Sequence, residues 1–263
     1  ATSGGYDPQD PYIERNPAYD EEESGGSVKG DQAVTDRHGR LYTLDEILLG
    51  TPAGGLGRGI TSIEWPSAYN VGSTFVDAVG TQITARVFKS AEMKAVTDDE
   101  RFFAENPALS AQIQGICPYG WHIANFRDWY DLAYAALEAS RGDGTYPVRE
   151  EMLTIAKLVA TNANNVAPGL RTQEGWTSTP ARAAGADAFD FNLYPTGWRL
   201  NKNGYGQYGD TAHSWVPLIG SSAKKTWRLN NVKATSNYWF NDNLDAGNPA
   251  VGIRCVKNYK VKK

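Results

Sequence analysis

Cys117-Pro118-Tyr119-Gly120-Trp121-His122-Ile123-Ala124-Asn125-Phe126-Arg127-Asp128-Trp129-Tyr130 is the stretch on which the fold turns. Asn125 can cap a helix, and Asp128 lies three residues on, in capping-box position. Phe126, Trp129, Tyr130, Ala133, Ala136 and Leu137 then recur on one face, which predicts a well-packed amphipathic helix. A second helix is expected near Pro147 and Val148, with Glu150 and Glu151 in its first turn and Met152, Ile155, Ala156 and Val159 on one side. Upstream, Val34 to Tyr42 reads as a hairpin turning at His38-Gly39. Ser73 to Val79 and Gln82 to Phe88 read as strands joined through Gly80-Thr81.

After about Asn165 the helical pattern fades. Short β-prone runs around Trp176, Phe189 to Leu193, Trp215 to Ile219, Trp227 to Leu229, Tyr238 to Phe240 and Gly252 to Val256 are separated by Gly, Asn and Asp clusters. The expectation is an α+β domain with two helices, short antiparallel strands and a loop-rich second half.

Composition narrows the setting. The 263 residues are 41% hydrophobic and 21% charged, enough apolar material for a sizeable core. Their 26 basic and 30 acidic side chains leave a charge of -4, which offers no handle for a polyanion such as nucleic acid. No window has the roughly 18 to 20 consecutive apolar residues of a membrane helix. The 27 Gly, 14 Tyr and 8 Trp beside only 2 Met fit a loop-rich extracellular domain whose aromatic side chains anchor long connections. Beginning at Ala1 with no leader, the sequence reads as a mature product, and this leaves room for a lipid anchor upstream.

The two cysteines, Cys117 and Cys255, are too far apart for a CxxC metal or redox motif. A structural disulfide is the preferred reading, and two buried free thiols are the alternative. A bridge closing so long a loop stabilises by roughly 4 to 5 kcal/mol in the chain-entropy account. Residues 1 to 33 are of another character: Asp7, Asp10, Glu14, Asp20, Glu21, Glu22, Glu23 and Asp31 outweigh Arg15 and Lys29, among prolines and a Ser-Gly-Gly-Ser run. They read as an extended acidic arm or tether, followed by a domain over 34 to 258 and a basic tail over 259 to 263.

Gln114-Gly115-Ile116-Cys117-Pro118-Tyr119-Gly120-Trp121-His122-Ile123, with Asp128-Trp129 and Leu132 after it, resembles the signature of the Fibrobacter succinogenes major paralogous domain of exported bacterial proteins. The likeness continues through Gly169-Leu170-Arg171-Thr172, Gly175-Trp176, Phe191 to Arg199 and the ending Val251-Gly252-Ile253-Arg254-Cys255-Val256-Lys257. It departs at Ile123-Ala124-Asn125, where the family has a Leu/Val-Pro-Ser/Thr step, and between Ile47 and Tyr69. The same residues resemble the formylglycine-generating-enzyme branch of C-type lectin-like domains, which implies a C-type lectin-like fold. Fold likeness alone assigns no activity.

Candidate sites are few. His122 precedes the first helix, where a general base could sit, but no nucleophile motif accompanies it, and a packed structural histidine is the simpler reading. With only His38, His122 and His213, the paired-histidine spacing of zinc sites is absent. Asn241, Asn243 and Asp245 offer oxygen ligands at alternate positions, as calcium loops do, or else form a solvated turn. Trp198, Tyr205, Tyr208, Trp215, Trp227, Tyr238 and Trp239, in segments the likeness would make surface loops, are candidates for a glycan platform, with core packing the alternative for each. The expectation is a cell-surface binding module without cofactor, its partner a glycan or another surface protein. An accessory outer-membrane lipoprotein subunit is the alternative. A hydrolase, using paired carboxylates such as Glu174 and Asp187, is a second.

Overall fold

The computed structural model describes residues 41–42, 47, 71–86, 99–141, 169–176, 187, 189–199, 205–206, 209–217, 227–233, 240–241 and 250–260. The hairpin read at Val34 to Tyr42 and the helix near Pro147 lie outside them, apart from Leu41 and Tyr42.

β1 (Thr74–Val76) and β2 (Gln82–Thr84) pair antiparallel with Phe75 opposite Ile83, and both of these side chains point into the core. The first strand stops sooner than its apolar run. The Asp77 carboxylate accepts the N–H groups of Val79 and Thr81 at 3.1 and 2.8 Å and so turns the chain. Its other oxygen takes the N–H of Gln112 at 3.1 Å, fastening the hairpin to the middle of the chain.

α1 (Asp99–Glu105), an element the sequence pattern does not reveal, is followed by a 3-10 turn over Pro107–Ser110. Ring contacts hold α1 in place. Phe103 meets Tyr130 at 5.4 Å and Phe126 at 6.1 Å, while the Arg127 guanidinium lies 4.8 Å above the Phe103 ring and binds Glu100 at 2.6 Å. β3 (Trp121–Ile123) leads into α2 (Phe126–Arg141). The expected cap is present and reciprocal: Asn125 N–H donates to the Asp128 carboxylate at 2.8 Å, and Asp128 N–H donates to Asn125 Oδ1 at 3.0 Å. Phe126 and Trp129 are buried beneath it.

Among the described residues the second half is built of short strands. β4 (Trp198–Arg199) pairs with β5 (Tyr205–Gly206), and β6 (Thr211–Pro217), β7 (Trp227–Lys233) and β8 (Phe240–Asn241) form an antiparallel sheet in that order. β6 begins four residues before the apolar run that announces it and is buried along its whole length. Its free edge is flanked by single bridges, Ala212 to Gly197 and Ser214 to Gly252, so it is an inner strand. β9 (Cys255–Lys257) returns to pair antiparallel with β3. No strand forms at Trp176 or over 189–193, where the chain bends; its backbone pairing there is a single bridge from Leu193 to Arg171, and the Trp176 indole N–H donates to Leu193 O at 3.2 Å.

Cys117 and Cys255 are joined, with Cα atoms 5.7 Å apart, inside the usual disulfide range. The domain also continues past the boundary read from the sequence. Gln112 clasps Tyr259 through both backbone groups, Nε2 donating to its carbonyl at 2.7 Å and Oε1 accepting its N–H at 3.0 Å. Tyr259 is therefore a part of the fold and not of a tail.

Candidate functional site

Between the disulfide and β3 the chain makes a tight turn, Pro118-Tyr119-Gly120-Trp121. Trp121 N–H donates to Pro118 O at 2.9 Å, and Gly120 has φ +82°, the left-handed third position of a type II turn that glycine supplies without strain. The turn is tied down on several sides. Cys117 N–H binds Gln114 O at 3.0 Å, the Gln114 amide returns to Cys117 O at 3.3 Å, and Asn258 N–H reaches Gly120 O at 2.8 Å. Gly115 completes the support, since a Cβ there would collide with the Ile47 carbonyl and the Ile123 side chain.

The consequence is an aromatic ledge. Tyr119, at the tip, is 94% exposed and Trp121 is 38% exposed, beside an exposed Pro118. Trp121 stands opposite Lys257 in the β3–β9 register. The bonds from Ala124 N to Arg254 O and from Asn258 N to Gly120 O make Trp121–Lys257 a non-hydrogen-bonded pair, the kind whose side chains stand closest on a shared face. Lys257 and Lys260 are exposed. Further along that face Ile123 is fully buried, so the ribbon leaves the core between Ile123 and Trp121.

His122 faces the other way and is completely buried. Its Nδ1 lies 3.0 Å from Asn258 Oδ1 and its Nε2 2.9 Å from the Asp128 carboxylate, with the Tyr259 ring edge-on at 5.5 Å. Both ring nitrogens are engaged within the protein, leaving neither aimed at solvent. Burial, reinforced by the Asp128 carboxylate, raises the Tyr259 phenol above its ordinary range, and the Asn125 amide opposes this. Arg254 is likewise spent on the fold: its Nη2 donates to Phe191 O and Asn192 O at 3.0 and 2.8 Å while the guanidinium stacks 4.5 Å from the Phe191 ring. Burial lowers its pKa, and Asp187 partly offsets that.

Of the platform aromatics expected from sequence, Trp215 is a core residue. It is 5% exposed, and its indole N–H donates to Tyr42 O at 3.0 Å, which corrects its expected place on the surface. The reason is that β6 has neighbours on both edges and cover on both faces. Trp198 is half-buried and packs against the core. Tyr205 and Trp227 have described backbones only, in β5 and β7, and Tyr208, Tyr238 and Trp239 lie outside the described residues. In the calcium-like stretch, Asn241 pairs with Leu229 at the sheet edge, and Asn243 and Asp245 are outside the described residues.

For the carboxylates weighed as a hydrolytic pair, Asp187 accepts Asn192 N–H at 2.9 Å and takes a left-handed φ of +44°, while Glu174 accepts the Thr172 hydroxyl on its backbone carbonyl at 2.7 Å. Among the described residues no group of three His, Cys, Asp or Glu side chains could hold a metal ion, and no helix is long and apolar enough to cross a membrane. Sequence reasoning passed over Tyr119 and Trp121 as candidate binding residues. The Pro-x-Gly turn immediately after a cysteine was the signal that could have placed Tyr119 at an exposed tip.

These features define an α+β domain locked by one disulfide between its middle and its last strand. The chain belongs to the Fibrobacter succinogenes major domain family, whose model matches residues 6–257, a span that begins within the acidic N-terminal segment. No curated protein and no solved structure gives a significant match.

Proposed function

We propose that this protein is a non-catalytic binding module of a bacterial cell surface, and that it holds glycan on the aromatic ledge of Tyr119 and Trp121. The observation that carries this reading is a tyrosine 94% exposed at the tip of a turn that a disulfide and backbone bonds immobilise. Leaving an aromatic ring in water forgoes its burial energy, and rigid flat rings are what a pyranose stacks on at low entropic cost. The disulfide supports an oxidising, extracytoplasmic location. Engagement of both His122 nitrogens inside the protein supports binding without chemistry. The C-type lectin-like topology is part of the same reading, supported by a capped helix, a strand-and-loop second half and a terminal strand returning to pair before that helix.

The test is affinity electrophoresis of the oxidised chain through a panel of soluble polysaccharides. Retardation by at least one of them, abolished in Tyr119→Ala with an unchanged thermal midpoint, is expected; no retardation by any would sink the glycan reading. The second reading is an accessory lipoprotein subunit on an outer-membrane assembly, favoured by the acidic character of residues 1 to 33. It predicts instead a co-purifying protein that is lost when those residues are deleted.

A further inference from the structure

We infer that the ledge is selective for acidic glycans, polymers whose pyranose units carry carboxylates; this rests on the glycan reading of the same surface. Stacking alone needs only Tyr119 and Trp121, yet the residue that shares a face with Trp121 is a lysine. As a non-hydrogen-bonded cross-strand pair, Trp121 and Lys257 have Cβ atoms about 4.5 to 5.5 Å apart. A sugar ring lying on the indole thus places its substituents within reach of the Lys257 ammonium, a mobile point charge with three donors.

The local charge agrees with this. The chain as a whole is acidic at -4, but from Lys257 onward it reads Lys-Asn-Tyr-Lys-Val-Lys-Lys with no acid, and the turn from Gln114 to Trp121 has no charged residue. Lys257 and Lys260 are both exposed and make no salt bridge among the described residues. The acid nearest the turn in sequence, Asp128, is held by His122, whose side chain lies on the opposite face of β3. A ring platform that shares its face with Lys257 offers a cation to an anionic polymer, whose carboxylates supply the counter-charge that Lys257 lacks among the described residues.

The decisive comparison is polygalacturonate against its fully methyl-esterified form, which keeps the same sugar rings and removes the charge, with polyglutamate as a polyanion that has no sugar. Binding is measured by calorimetry on the full oxidised chain. Polygalacturonate is expected to bind about tenfold more tightly than the ester, the size of two exposed charge contacts, with the advantage shrinking as salt is added. The double variant Lys257→Gln/Lys260→Gln is expected to lose that advantage and keep the affinity for the ester, whereas Tyr119→Ala weakens both. Equal affinity for acid and ester overturns the acidic selectivity and leaves glycan binding standing. Polyglutamate bound as tightly as polygalacturonate shows that charge alone acts and also overturns it. Binding of none of the three polymers, nor of any polysaccharide in the wider panel, overturns both readings.

Discussion

The Tyr259 ring stands edge-on to His122, and its hydroxyl lies 3.4 Å from the Asn125 amide nitrogen, close to the Asp128 carboxylate that raises its pKa. Burial and that negative neighbour both disfavour the phenolate, so the folded protein keeps this proton after an unfolded tyrosine, titrating near roughly 10, has begun to lose it. With more protons bound to the native state in that window, stability falls as pH rises through it; at lower pH the contribution is constant. The wild type is therefore expected to lose stability above about pH 10 more steeply than Tyr259→Phe, by at most about 1.4 kcal/mol per pH unit, the limit for one proton. Urea midpoints of the two proteins between pH 8 and 11.5 give the answer, and parallel curves would show that the phenol is not held protonated by the fold. Nothing in the composition of the last seven residues discloses this role. Lysines dominate there, and Tyr259 acquires its partners from Gln112, Asn125 and Asp128, more than a hundred positions earlier. Exposure was equally hard to read: Trp215 and Trp121 are both tryptophans beside polar residues, and only the two-sided cover of β6 buries the one while the end of a two-stranded ribbon frees the other.

Where an element is specified by neighbours in sequence, the sequence shows it. The cap of α2 needs only Asn125 and Asp128, and both reciprocal bonds are present. α1 needs more, since seven residues hold fewer than two turns and have too little hydrogen bonding to stand alone. Its position depends on Phe103 finding Phe126, Tyr130 and Arg127 from the next helix. β6 hides for a different reason. Thr211, His213 and Ser214 look like solvent-facing residues, but they are buried, with Thr211 Oγ1 2.9 Å from His213 Nε2. At the cap itself, Asn125→Ala is expected to cost about 1 to 2 kcal/mol. Asp128→Ala is expected to cost more, about 2 to 4 kcal/mol, because it also strips a fully buried imidazole of a partner. Urea denaturation of both single variants and the double variant tests this coupling. Should Asp128→Ala prove no worse than Asn125→Ala, the histidine contact contributes nothing to stability.

Across the whole molecule, residues 250–260 act as the fastening for parts of the chain that are otherwise remote from each other. Tyr42 and Val251 exchange two backbone bonds at 2.8 and 2.9 Å, Gly252 bridges Ser214, Arg254 binds the carbonyls of Phe191 and Asn192, β9 pairs with β3, and Tyr259 is clasped by Gln112. The disulfide makes that fastening covalent across 138 positions. In the chain-entropy account its main effect is on the unfolded state, which it holds compact, at about 4 to 5 kcal/mol, with native-state strain and residual structure commonly reducing the figure. Cys117→Ala/Cys255→Ala is thus expected to lower the urea midpoint, by an amount equivalent to about 2 to 5 kcal/mol, and to raise the m-value, because the open chain exposes more surface when it unfolds. A lower midpoint with an unchanged m-value would assign the loss to the native state instead. The same variant bears on binding: the bridge leaves the chain at Cys117, one residue before the turn that carries Tyr119. If the ledge works because it is rigid, the uncrosslinked protein should bind glycan more weakly even at low temperature, where the fold itself remains intact.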